Sequence, residues 1–176
     1  MFSRRFVVAG LLLFGLNLQV GATAENADVP PAPLGDLPNV RYPEAHRIVS
    51  GAIDAAAVAK LRAAGVRHVI NLRTPAESPG FDESRAVTEQ GLAYHALPIA
   101  GRESLTMENA RRLDDLLKQI GAESVLIHCA SGNRVGALVA VREAWIKGRS
   151  PDEAIAEGKR WGLTKLEDTV RAVLSE

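Results

Sequence analysis

The chain has 176 residues, of which 47% are hydrophobic and 24% charged, a balance that suits one globular domain and excludes a fibrous or disordered polymer. Its 21 basic and 21 acidic residues cancel, and no run of Lys and Arg supplies the polybasic face that a nucleic-acid binder needs, so no nucleic-acid partner is expected. The single cysteine, Cys129, has no intramolecular partner, which leaves a small buried hydrophobe, an intermolecular disulfide or a reactive thiol.

Met1-Phe2-Ser3-Arg4-Arg5 is basic, Phe6 to Leu16 is almost wholly apolar, and Ala22-Thr23-Ala24 offers small residues ahead of Glu25. This is the layout of a secretory signal peptide over residues 1–24. The apolar run is shorter than the roughly 20 residues a membrane span requires, so no stable membrane insertion is expected after cleavage, and the expected location is periplasmic or secreted. Arg4 and Arg5 fit a twin-arginine leader and a general secretory leader equally.

Residues 25–39 are rich in proline and lack a hydrophobic period, which predicts an extended tether. The folded domain is expected over residues 40–176, with strands and helices alternating as in an α/β domain with a largely parallel sheet. The first strand is expected at Arg47 to Ser50. A helix follows, capped by Asp54, turning Val58 and Leu61 inward and stopped by Gly65. Val66 to Leu72 forms the second strand, Asp82 to Gln90 a short helix ending at Gly91, and Leu92 to Leu97 a third strand closed by Pro98. A longer helix runs from Thr106 to Ile120, with Leu113, Leu116, Leu117 and Ile120 on one face.

Val125-Leu126-Ile127 is a short continuous apolar run, the pattern of a strand buried on both faces. It leads into His128-Cys129-Ala130-Ser131-Gly132-Asn133-Arg134, after which Val135 to Lys147 is helical. Two capping boxes, Ser150-Pro151-Asp152-Glu153 and Thr164-Lys165-Leu166-Glu167, announce two further helices. The expected fold is therefore a single α/β domain with a mostly parallel sheet of four or five strands flanked by helices. The cysteine loop joins the last strand to a helix.

A cysteine at the carboxyl end of a buried strand, a glycine-bearing turn and an arginine opening a helix all favour an anion. Unpaired backbone N–H groups and the helix dipole point into the turn, and Gly132 lets the backbone bend. A cysteine at a helix N-terminus beside a cation ionises more readily than a free thiol, and the thiolate is the nucleophile. Arg134 presents a planar fork that matches two oxygens of a tetrahedral oxyanion. Ala130, Ser131, Gly132 and Asn133 are expected to contribute backbone amides to phosphate binding.

This succession of strand, His128-Cys129, glycine-bearing turn, Arg134 and helix resembles the phosphate-binding loop of the protein tyrosine and dual-specificity phosphatase superfamily. Val69-Ile70-Asn71-Leu72-Arg73 resembles the second-strand motif of its dual-specificity members. The pattern most nearly resembles the bacterial beta-lactamase-hydrolase-like phosphatase family, in outline from Val40 to the end. The resemblance implies a phosphoric monoester hydrolase acting on a phosphorylated protein or small molecule, without cofactor or metal. In this scheme Cys129 attacks phosphorus, Arg134 holds the equatorial charge, and His128 orients the loop by a hydrogen bond to the backbone around Cys129. Arg73 lines the pocket.

Three departures stand out. Four residues separate Cys129 from Arg134, where the main superfamily has five. Val135 also stands where a serine or threonine usually assists turnover. No aspartate lies on the segment that normally supplies the general acid, which makes Glu103 the nearest candidate, with Asp82 and Glu83 more distant. The short loop also fits a rhodanese-type sulfurtransferase, whose domains place four residues between Cys and Arg. A catalytically weak phosphate-binding module is the third reading. His46, His68, His95 and His128 show no ligand-like spacing, so no metal is expected.

Overall fold

The computed structural model describes residues 32–176; the expected signal peptide and the start of the expected tether lie outside them. The elements are β1 (Arg41–Glu44), β2 (Arg47–Ser50), α1 (Ala55–Leu61), β3 (His68–Asn71), α2 (Glu83–Glu89), β4 (Ala93–Ala96), α3 (Met107–Ile120), β5 (Val125–His128), α4 (Asn133–Trp145), α5 (Pro151–Arg160) and α6 (Glu167–Leu174). Short 3-10 turns occupy Pro75–Glu77 and Arg102–Ser104. The five strands lie in the order β1-β2-β5-β3-β4, parallel throughout except for β1 against β2.

Central β5 is buried along its whole length, and its alternation divides the core. Leu126 points into one cluster with Val58 and Leu61 of α1 and Val87 of α2. Val125, Ile127 and Cys129 point into the other, built with residues of α3, α4, α5 and α6. In-register pairing sets Ser50 and Asn71 on either side of His128. The carboxyl ends of three parallel strands therefore finish level where the cysteine loop begins, the edge at which α/β sheets gather ligands.

Helix α4 is more enclosed than an amphipathic stripe requires, with every residue from Val135 to Val141 buried. It crosses α5 with backbone against backbone. A Cβ on Gly136 would lie 2.0 Å from the Leu163 nitrogen, and one on Gly158 would lie 2.7 Å from the Gly136 carbonyl oxygen. At the other side of α4, Arg142 donates to buried Asp114 of α3 at 2.8 Å, and Lys118 and Lys147 reach the same carboxylate.

Three expectations are corrected. Residues 32–39 are not an extended tether, because Leu34 and Leu37 are buried in the α1 cluster, the Leu34 N–H donates to the Tyr42 hydroxyl at 2.6 Å and the Gly51 N–H to the Pro38 carbonyl at 2.6 Å. The domain thus begins before Val40. Strand β1 was not foreseen, since Arg41-Tyr42-Pro43-Glu44 carries a proline, a residue tolerated only at sheet edges. Finally, the Ser150 capping box forms, but the Thr164 box does not. Helix α6 starts at Glu167 without a side-chain cap, and the Thr164 N–H donates instead to Asn133 Oδ1 at 2.8 Å.

Candidate active site

Cys129 leaves β5 with its side chain 1% exposed, and the Gly132 N–H donates to its sulfur at 3.1 Å. That bond requires the chain to reverse within three residues. Gly132 does so at φ 84, a left-handed conformation that a residue with a Cβ rarely adopts. Helix α4 then starts at Asn133, so its unpaired N–H groups and dipole are directed into the turn. The rim is pinned by backbone. The Ala52 N–H donates to the Ala130 carbonyl at 3.2 Å, and Ser131 bridges to Gly51. Asn133 turns its side chain away from the turn toward Thr164, which leaves its backbone to face the loop.

Arg134 is held by two elements distant in sequence. Its Nη1 donates to Glu77 Oε1 at 2.8 Å and to the Ile99 carbonyl at 2.7 Å, and its Nη2 donates to Glu77 Oε2 at 2.5 Å. A guanidinium has five N–H donors in a fixed plane. Three are taken by Glu77 and Ile99, so the Nε–H and the second Nη2 hydrogen are left over by these two anchors, with the Cys129 sulfur within hydrogen-bonding reach of the guanidinium. The hydrogen bond to Glu77 raises the Arg134 basicity above its ordinary value against desolvation, with nearby Cys129 adding to the effect. In return, Arg134 pulls the Glu77 carboxyl down to about 2, assisted by the Thr74 N–H and hydroxyl and opposed by burial.

Glu77 was not singled out from the sequence, yet it carries a local signature. Thr74-Pro75-Ala76-Glu77 has the form of a capping box with proline at the first position, and both reciprocal bonds are present. Arg73 does not face the cysteine loop through a hydrogen bond. Its Nη2 donates to the Glu77 carbonyl, which makes it a buttress for the turn that holds Arg134, and it lines a cavity on the α2 side of the sheet.

His128 also differs from expectation. Its ring is fully buried, and Nε2 lies 2.7 Å from Glu83 Oε1, itself buried at the start of α2. Nδ1 has no partner among the described residues, so the expected bond to the backbone around Cys129 is replaced by a side-chain pair with Glu83. Asp82 caps α2 by accepting from the Arg85 N–H at 3.0 Å.

Glu103 sits in the 3-10 turn that follows Ile99, with its carboxylate folded over Gly101, where a Cβ would lie 3.0 Å from Oε2. It lines a groove of about 420 Å³ with Leu105, Trp145 and Val173. Among the described residues, no hydrogen bond or ion pair joins Glu103 to the cysteine loop. The structure therefore brings together Cys129, the loop amides and Arg134, adds Glu77 and Glu83, and leaves Glu103 on the neighbouring loop. A buried thiol beneath a helix N-terminus, beside a guanidinium with donors that its two anchors leave over, can receive a tetrahedral oxyanion and attack its centre.

The profile of the tyrosine phosphatase family matches residues 49–149, a span that includes β3, the Thr74–Glu77 turn and the cysteine loop. The beta-lactamase hydrolase-like protein of Xylella fastidiosa Temecula1 is 38% identical over 104 residues, covering 56% of this chain and 23% of that protein, so the likeness concerns less than a quarter of the relative's length. Among solved structures, the DUF442 protein of Shewanella putrefaciens CN-32 superposes with a TM-score of 0.62 at 23% identity, covering 79% of this chain and 88% of its own. A kinase associated phosphatase, crystallised with its catalytic-site cysteine replaced by serine, superposes with a TM-score of 0.54 at 18% identity, covering 73% and 87%.

Proposed function

The chain belongs to the tyrosine phosphatase family, and from that premise we propose that it hydrolyses a phosphate monoester through a phosphocysteine on Cys129. The observation that carries the proposal is that Glu77 and the Ile99 carbonyl fix Arg134 within hydrogen-bonding reach of Cys129 while taking only three of its five N–H donors. In the first step the sulfur attacks phosphorus, the P–O bond to the leaving group breaks, and the Arg134 fork with the loop amides holds the equatorial oxygens. Glu103 is the proposed donor of a proton to the departing oxygen; the Ile99 carbonyl bound by Arg134 ties its loop to the site. In the second step water attacks the phosphocysteine, its proton passing to the Glu103 carboxylate left by the first step, and the thiolate departs with its electron pair.

Val135 offers no hydroxyl to the second step, so turnover is slow and the covalent intermediate accumulates. The substrate is a phosphorylated protein or small molecule, and the leader-like residues 1–24 assign the reaction to the periplasm or the exterior. Hydrolysis of para-nitrophenyl phosphate by the purified protein tests the proposal. Cys129→Ser should abolish it. Unchanged rates in that variant would refute the mechanism.

A rhodanese-type sulfurtransferase is the second reading, favoured by the four residues between Cys129 and Arg134. Thiocyanate formed from thiosulfate and cyanide, without phosphate release from para-nitrophenyl phosphate, would establish it. Phosphate binding with neither activity would leave a binding module.

A further inference from the structure

Glu83 and His128 form a closed pair that the reaction as described above does not use. Their side chains are 3% and 0% exposed, and Nε2 lies 2.7 Å from Oε1. The outer atoms, Glu83 Oε2 and His128 Nδ1, have no partner among the described residues. His128 points to the same side of β5 as Leu126, where it meets Glu83, the first residue of α2, while Cys129 turns to the other side. Consecutive residues thus set the ring and the sulfur on either side of one strand end, both shielded from water.

A buried carboxylate is costly unless a positive group balances it. Among the described residues Glu83 forms no ion pair with Lys or Arg, and His128 is its hydrogen-bond partner. The other charged and titratable groups around the pair do not supply the balance. Asp82, exposed at the α2 cap, is a second acid. Burial pushes the Tyr94 hydroxyl of β4 up, and the Glu83 and Asp82 carboxylates add to the push. Arg73 donates to the Glu77 carbonyl, and Cys129 can only add negative charge. The balance therefore falls to the imidazole. The pair is neutral when it holds two hydrogens, one in the short bond and one on Nδ1. That count is the same whether the shared hydrogen sits on Oε1 or on Nε2.

We propose that Glu83 is a positioning residue for the reaction at Cys129, acting through His128: it keeps a hydrogen on Nδ1, so that the ring carries positive charge while the thiolate forms and again while it departs. This rests on the phosphatase reading above. Nδ1 is the ring nitrogen nearer the main chain, so its hydrogen lies on the side from which Cys129 springs. When negative charge gathers on the sulfur, the O–H bond at Oε1 gives way to an N–H bond at Nε2, the ring becomes an imidazolium, and no proton leaves the pair. The cation is then next in the chain to the sulfur, with the carboxylate beyond it. A neighbouring cation favours the thiolate.

The test is Glu83→Gln, which preserves the shape of the side chain and leaves an amide oxygen to accept from Nε2. An amide cannot balance a second ring hydrogen, so Nδ1 is left bare. The pH midpoint of Cys129 alkylation by iodoacetamide should rise by about one unit, the low end of what a neighbouring cation supplies. At a pH below both midpoints, kcat/KM for para-nitrophenyl phosphate should fall about tenfold with the thiolate fraction. A merely structural contact, kept by the amide oxygen, would move neither. Nitrogen-15 spectra of the unaltered protein with labelled histidine give a measure that does not depend on how the variant folds, and there His128 Nδ1 should carry a hydrogen near neutral pH. A bare Nδ1, or an unmoved alkylation midpoint in folded Glu83→Gln, overturns the inference and leaves the phosphatase reading intact. A protonated Nδ1 and a raised midpoint in a protein that hydrolyses no phosphate ester would do the reverse.

Discussion

Replacing Glu77 by Gln keeps the size of the side chain but removes its charge and one of its two acceptor oxygens. The amide oxygen can accept from one arm of Arg134, while the amide N–H₂ meets the other arm donor to donor. The guanidinium then loses the anchor that aims its remaining donors at the loop. Glu77 titrates at about 2 instead of its ordinary 4.5, a difference equivalent to about 3 kcal/mol at full strength. The carboxylate is 30% exposed, and solvent screening reduces the effect to about 1–2 kcal/mol. If that energy aims the fork in the transition state, kcat/KM for para-nitrophenyl phosphate falls roughly 5- to 30-fold in Glu77→Gln. A companion effect appears in urea unfolding. Because the folded carboxyl is depressed, its contribution to stability is complete above pH 4.5 and disappears as pH falls toward about 2. The variant should lack that component over the same window. Equal or higher kcat/KM in Glu77→Gln would show that the carboxylate competes with substrate for Arg134 rather than aiming it.

Arg134→Lys should lose activity about 100-fold or more, because an ammonium cannot hold Glu77 and the substrate through two forks at once; retention within a few-fold counts against the bidentate role. Glu103→Gln should slow an alkyl phosphate, whose leaving oxygen needs a proton, far more than para-nitrophenyl phosphate, and equal slowing of both would clear Glu103 of proton donation. For Asp114, burial pushes the carboxyl up, but Lys118, Arg142 and Lys147 together bring it down to about 2 from 3.8, so Asp114→Asn should cost about 1–2 kcal/mol near neutral pH. The native contribution fades as pH falls from 3.8 toward about 2, and identical urea midpoints at pH 7 would refute it. Gly136→Ala puts a methyl group 2.0 Å from the Leu163 nitrogen and should destabilise by about 3 kcal/mol; an unchanged Tm would mean that α4 and α5 separate freely.

The cysteine loop was legible because its signals are local. A buried apolar strand, a glycine at the bend and a helix start occupy one short stretch, and their geometry follows from chain chemistry alone. Glu77 was not legible as a member of the site, and Glu83 was legible only as a distant acid, not as the partner of His128. They reach Arg134 and His128 across 57 and 45 residues of sequence, and an acid in a turn or at a helix start ordinarily faces water. The Thr164 signature misled for a related reason, since the backbone N–H it would serve is taken by Asn133, 31 residues away. Leu34 and Leu37 were masked by the prolines around them, which resemble a spacer until α1 supplies an apolar surface to cover.

The glycines of the carboxy-terminal half bear on how far this protein can be shortened. A Cβ on Gly162 would lie 3.0 Å from the Gly132 carbonyl oxygen, so the segment after α5 forms the rear wall of the cysteine turn as well as a seam along α4. A fragment trimmed at the end of α4 would retain Cys129 and Arg134 while stripping the wall behind both. Anyone seeking a minimal unit that keeps this turn intact must carry the last two helices along.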